Sequence, residues 1–200
     1  MDTLLGHPEL VVVQRRELAE LLGVETRNKY ELHAADGALV GFAAEQSKGL
    51  LAGLARMFVG HWRTFELHVF DDQRQLLLRA FHPFRFLFQR LEVSTADGRY
   101  LGAVQQRFGL FTKRFDVEDA SGSPLLEMRS GLFSPWTFPF FREGQEVGRV
   151  EKRWSGLLRE AFTDADTFRV AFGTASGDER ALLLAAALFV DLQYFEQKPQ

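Results

Sequence analysis

No cysteine occurs in the 200-residue chain, which excludes disulfides, thiolate metal sites, a cysteine nucleophile and S-acylation together. Such a sequence fits a reducing compartment. Charge of one sign is also lacking: the formal net charge is −3, too small to draw polyanions to the surface as a whole. Lipid or nucleic-acid contact therefore needs a local basic patch, for which Lys113-Arg114, Arg149 and Lys152-Arg153 are the candidates. Met1 to Val13 carries neither a basic stretch ahead of a long apolar one nor a small-residue cleavage pattern, so an intracellular protein without a secretory signal is expected.

The marks of enzyme chemistry are missing as well. His7, His33, His61, His68 and His82 have no HExxH spacing, there is no Gly-x-Ser-x-Gly elbow, and Ser155 ahead of Gly156 reads as a turn residue. The glycines are dispersed among hairpin-like segments instead of forming a phosphate-cradling loop. No catalytic residue is expected, and the chain does not read as an enzyme. The apolar run Ala181 to Val190 has ten residues, against the roughly 20 that a bilayer-spanning helix needs. A transmembrane span is not expected from it.

Phenylalanine is abundant, at 20 of 200 residues. It clusters at Phe81, Phe84, Phe86 and Phe88, at Phe108, Phe111 and Phe115, and at Phe133, Phe138, Phe140 and Phe141. Clusters of this kind read as core, because Phe gains most by burial. Between them runs a repeated grammar of period-two segments closed by turn residues. Tyr30 to His33 precedes Asp36-Gly37, Phe65 to Phe70 precedes Asp71-Asp72, and Leu91 to Val93 precedes Asp97-Gly98. Phe115 to Glu118 and Phe138 to Arg142 follow the same pattern ahead of Ser121-Gly122 and Glu143-Gly144. Each reads as a strand entering a hairpin, and the length accommodates roughly ten to twelve of them. A short helix is expected near 14–22, where Leu18, Leu21 and Leu22 share a face and Gly23 offers a stop. A second helix is expected near 180–196. Its Ala181 to Val190 run is apolar on every face and must be enclosed, and a closed barrel encloses it while removing exposed strand edges. One domain spanning residues 1–200 accounts for all of this.

The stretch Trp154 to Phe168, with its Trp-Ser-Gly turn, Leu157-Leu158-Arg159-Glu160-Ala161-Phe162 run and paired Asp164 and Asp166, resembles the signature of the phospholipid scramblase family. Leu21 to Glu31, Phe42 to Glu45, Gly148 to Trp154 and Phe189 to Glu196 resemble further blocks of that family in the same order. The likeness is to a short form without the proline-rich N-terminal stretch. Where the family's palmitoylated cysteine cluster falls, this chain has Arg79 to Arg90. The resemblance implies a Tubby-like fold, mainly β, in which a closed antiparallel barrel of about twelve strands surrounds a hydrophobic C-terminal helix. It implies membrane-associated phospholipid binding and ATP-independent transbilayer lipid movement. The alternative is a soluble cytosolic module that binds lipid headgroups or a protein without scrambling. Either way the expected location is cytoplasmic or peripheral, at the cytoplasmic face of a membrane.

The resemblance also implies a calcium loop beginning at Asp164 and Asp166. An EF-hand-like loop takes ligands from positions one, three, five, seven, nine and twelve with Gly at six. Here position five is Phe168, six is Arg169, nine is Phe172 and twelve is Ala175, so calcium is at best a weak ligand. The competing reading makes Asp164 and Asp166 a turn bonded to its own backbone. A phospholipid membrane surface is the expected partner. Its contact candidates are Phe58, Trp62 and Arg63 in the segment Gly49 to Arg63, and Phe84, Arg85 and Phe86. Against the second group stands the period-two spacing of Phe84, Phe86 and Phe88, which favours one face of a strand filling the barrel. Nucleic acid is not an expected partner, because no reading helix or RNA motif accompanies the basic residues.

Overall fold

The computed structural model describes residues 2–15, 28–46, 64–110, 112–131, 134, 136–152 and 167–194. A short helix α1 (Asp2–Leu5) leads into strands β1 (Glu9–Gln14), β2 (Lys29–Ala34), β3 (Leu39–Glu45), β4 (Phe65–Asp71), β5 (Leu76–His82) and β6 (Arg90–Thr95). Strands β7 (Tyr100–Arg107), β8 (Arg114–Asp119), β9 (Pro124–Arg129), β10 (Thr137–Arg142), β11 (Gln145–Lys152) and β12 (Thr167–Ala171) follow, and helix α2 (Asp178–Tyr194) ends the described chain. Every strand pairs antiparallel with its sequence neighbours, and β1 pairs with β12 to close a twelve-stranded barrel. The closing register sets Leu10 opposite Val170 and Val12 opposite Phe168.

The period-two pattern decides what lines the barrel. Tyr30 and Leu32, Phe65, Leu67 and Val69, Leu91 and Val93, and Phe115 and Val117 are all buried in the core. Intervening positions such as Glu66, Glu92 and Asp116 are only partly buried. Helix α2 fills the lumen, with every residue from Ala181 to Leu192 buried. Full burial of each large aliphatic or aromatic side chain stabilises by about 2 kcal/mol, which explains why a helix without a polar face is stable here. Gly148 of β11 faces this helix closely: an added Cβ would lie 2.7 Å from Cδ2 of Leu183. At the start of α2 the Glu179 carboxylate accepts the Ser176 N–H at 3.0 Å, half of a capping box.

Chain direction separates two rims. The β2–β3, β4–β5, β6–β7, β8–β9 and β10–β11 connections are tight turns at one rim, joined there by α1 and the start of α2. Arg180 fastens that rim, donating to the carbonyls of Leu5 at 2.6 Å and Ala175 at 2.7 Å. The opposite rim carries the β5–β6, β7–β8 and β9–β10 connections and Tyr194 at the end of α2.

The expected helix near 14–22 is corrected at its start, where Gln14 closes strand β1. Residues 16–22 lie outside the described residues. Leu10 to Val13 are buried throughout, so this strand lacks the alternation that marks a half-buried one. The expected C-terminal helix is present over Asp178–Tyr194.

Candidate functional site

Pro83 follows β5 and cannot donate to a sheet ladder, so the alternating Phe run does not continue as a strand. This corrects the reading of Phe84, Phe86 and Phe88 as a barrel-filling face. Phe84, Phe86 and Leu87 in the β5–β6 loop, and Phe108 and Leu110 in the β7–β8 loop, are 59% to 72% exposed. Phe88 is exposed as well and has φ 53°, a left-handed conformation that is costly for a bulky side chain.

Glutamine amides hold the β5–β6 loop in that shape. Gln105 Nε2 donates to the Phe88 carbonyl at 3.0 Å, and the Gln89 N–H donates to Gln106 Oε1 at 3.0 Å. Buried Gln89 donates its own Nε2 to the Arg85 carbonyl at 3.3 Å. Each of these bonds contributes about 1 kcal/mol, enough together to hold one strained residue of about 1–3 kcal/mol. The apolar loop is thus anchored to the neighbouring strand.

Between the β5–β6 and β7–β8 loops and the end of α2 lies an open groove of about 380 Å³. Phe88, Phe108 and Leu110 form its apolar lining, while Gln106, Lys113 and Tyr194 contribute polar groups. The Lys113 ammonium lies 3.9 Å from the centre of the Tyr194 ring and 5.7 Å from that of Phe138, a cation–π arrangement. Gln106 Nε2 donates to the Tyr194 hydroxyl at 3.1 Å. Burial raises the Tyr194 phenol above its ordinary pKa, with the Gln106 bond opposing. Deeper in the barrel, Tyr30 donates to Asp191 Oδ2 at 3.0 Å and Lys152 Nζ lies 3.6 Å from Asp191 Oδ1.

Of the residues singled out from sequence, Phe84, Arg85 and Phe86 share the exposed β5–β6 loop. Phe58, Trp62 and Arg63, with the rest of Gly49 to Arg63, lie outside the described residues, as do Asp164 and Asp166. Among the described residues no group of three or more His, Asp or Glu side chains could hold a metal ion. The basic candidates divide. Arg149 is engaged by Glu146 at 2.7 Å and Glu151 at 3.3 Å, which push its pKa further up, and Lys152 points into the barrel. Lys113 and Arg114 line the groove. Phe88, Phe108, Leu110, Tyr194 and the glutamine clamp were not legible as a site; Pro83 ahead of the Phe run and Gly109 between Phe108 and Leu110 were the available signals.

The fold and rim define a class first: a Tubby-like, mainly β barrel around a central helix, with an apolar and basic rim. An X-ray structure of an Arabidopsis thaliana protein shares this fold with TM-score 0.50 at 10% identity, over 92% of this chain and 93% of that one. The family model described as Scramblase matches residues 1–197, and the chain belongs to that family. It is 28% identical over 204 residues to human "Phospholipid scramblase 1", a match covering 94% of this chain and 63% of that protein. It is 25% identical over 209 residues to human "Phospholipid scramblase family member 5", covering 96% of this chain and 76% of that one. "Altered inheritance rate of mitochondria protein 25" of Saccharomyces cerevisiae is 23% identical over 237 residues, covering 98% and 72%. Against the first of these the chain spans under two thirds of the relative's length. No described helix is long and apolar enough to cross a membrane.

Proposed function

We propose that this chain binds the surface of anionic phospholipid membranes peripherally, docking by the rim that carries the β5–β6 and β7–β8 loops. The observation that carries the reading is the co-location of exposed Phe84, Phe86, Leu87, Phe108 and Leu110 with Arg85 and Lys113. Exposed aromatics enter the interfacial region of a bilayer and basic groups meet its phosphates. Each Lys or Arg near an anionic leaflet contributes about 1 kcal/mol, and each inserted large apolar side chain up to about 2 kcal/mol. Fixed loops add to this by lowering the ordering cost of docking. The names of the relatives support a phospholipid as the partner.

Transbilayer movement of lipid needs a polar route for the headgroup. The barrel lumen is occupied by α2, so the proposed function ends at membrane binding, and no lipid-moving or calcium-dependent step is assigned to these residues. Co-sedimentation with phosphatidylserine–phosphatidylcholine vesicles tests it. Wild-type protein sediments with the vesicles, and the Phe84→Ser, Phe86→Ser, Leu87→Ser triple variant binds at least about tenfold more weakly. Equal binding by the folded triple variant would exclude the rim as the docking surface, and failure of folded wild type to sediment with the vesicles would leave the soluble protein-binding module in its place.

A further inference from the structure

The groove beside the docking rim has a polarity of its own. The amide of Gln106 has a determined orientation: the Gln89 N–H can only donate, so the atom it meets must be Oε1, and Nε2 must face Tyr194. Nε2 can only donate, so the Tyr194 oxygen accepts. The phenol proton is then left to donate elsewhere. An ordinary phenol is protonated at neutral pH, and burial acts in the same direction here.

Next to it stands a cation held against rings. Lys113 rests on the Tyr194 and Phe138 faces, an interaction that supports its positive charge. Arg107 and Arg114, also on the lining, are drawn towards carboxylates, Arg107 to Asp116 at 2.7 Å and Arg114 to Glu127 at 2.9 Å. A neutral O–H donor and a cation lining one groove together suit an acceptor-rich anion. The apolar part of the lining, Phe88, Phe108 and Leu110, suits hydrocarbon. One ligand with an anionic phosphate joined to an acyl chain satisfies both. The volume of about 380 Å³ lies at the low end of the roughly 300–1,000 Å³ typical of small-molecule sites, enough for a headgroup and the start of a chain.

We infer that this groove binds a single phospholipid, its phosphate accepting from Tyr194 Oη and Lys113 Nζ and its proximal acyl carbons lying against Phe88, Phe108 and Leu110. The strained Phe88 is then explained by where its ring must lie, because the left-handed backbone sets that ring beside the groove. The inference rests on the membrane-docking reading for its source of lipid, and the two have separate measurements.

Titration calorimetry with dihexanoyl phosphatidylserine below its critical micelle concentration isolates the groove from the vesicle surface. Wild-type protein binds this lipid, and Tyr194→Phe and Lys113→Gln each weaken binding by about tenfold, the usual worth of one charge-assisted hydrogen bond. Tyr194→Phe keeps the ring under Lys113, so a matching thermal melt shows that the fold is intact; Lys113→Gln provides the second route to the same result. Inorganic phosphate binds far more weakly, since it leaves the apolar lining unused. Absence of short-chain lipid binding by folded wild type, unchanged affinity in Tyr194→Phe and Lys113→Gln, or inorganic phosphate binding as tightly as the lipid would each overturn the single-lipid site. If vesicle binding persists while short-chain lipid fails to bind, the groove is refuted and docking stands. If short-chain lipid binds while vesicles do not, docking is refuted and the groove stands.

Discussion

Arg74 holds the place in the β4–β5 hairpin that Gly37, Gly98 and Gly122 hold in three sister hairpins. All four have positive φ, 63° at Arg74 against 83° to 91° at the glycines, and the same turn bonds recur, Arg74 N to Asp71 O at 3.1 Å matching Gly98 N to Thr95 O at 3.0 Å. A side chain in this conformation costs about 1–2 kcal/mol, while glycine's extra chain entropy returns about 0.5–1 kcal/mol of that. Arg74→Gly therefore raises unfolding stability by roughly 0.5–1 kcal/mol, measured as a higher denaturant midpoint at constant slope. Asp36-Gly37 and Asp97-Gly98 made both the turn and its left-handed position readable from sequence alone, whereas Asp71-Asp72 marked the β4–β5 turn without marking Arg74 as its left-handed position. Phe84, Phe86 and Phe88 show the opposite difficulty. Their spacing signalled a strand, and the outcome was decided by Pro83 and by hydrogen bonds with Gln105 and Gln106, which are distant in sequence.

Helix α2 was the most legible element, since a run without a polar face must be enclosed. Its ends were not legible, because they depend on partners from other strands. Asp191, which closes the apolar run in sequence, is itself buried, between Tyr30 and Lys152. Removing one partner of a buried ion pair costs more than the pair contributes, since the other charge stays desolvated. Asp191→Asn retains an acceptor for Tyr30 but not the charge opposite Lys152, and lowers unfolding stability by about 3 kcal/mol in urea titration. At the other end, Arg99 meets Asp178 at 2.7 Å, and its hydrogen bond holds that carboxyl below its ordinary pKa. A carboxyl depressed in the folded state contributes stability above its unfolded pKa, near about 4, and that contribution disappears as pH falls through the lower folded value. The difference in Tm between wild type and Arg99→Gln is accordingly constant from neutral pH to about 5 and shrinks below about 4. The pair is half exposed, so the difference is small throughout.

At the scale of the whole molecule, the closed barrel leaves no free strand edge in the described sheet, and one rim differs from the other in chemistry as well as in connection length. Tight hairpins, α1 and the acidic first turn of α2 occupy one rim; exposed Phe and Leu side chains with Arg85 and Lys113 occupy the other. The barrel and its central helix followed from turn spacing and all-round apolarity. The closing strand β1 did not, since both its faces are buried, and the groove did not, since its lining comes from two loops and a helix end. The absence of cysteine now becomes a practical advantage, because one introduced thiol is the only labelling site. Leu87→Cys on the docking rim and Ser121→Cys on the opposite rim, each carrying an environment-sensitive fluorophore, test which end meets lipid. Docking by the Phe-rich rim predicts a blue shift at position 87 and none at position 121 when phosphatidylserine-containing vesicles are added. No shift at position 87, or an equal shift at both, would contradict it.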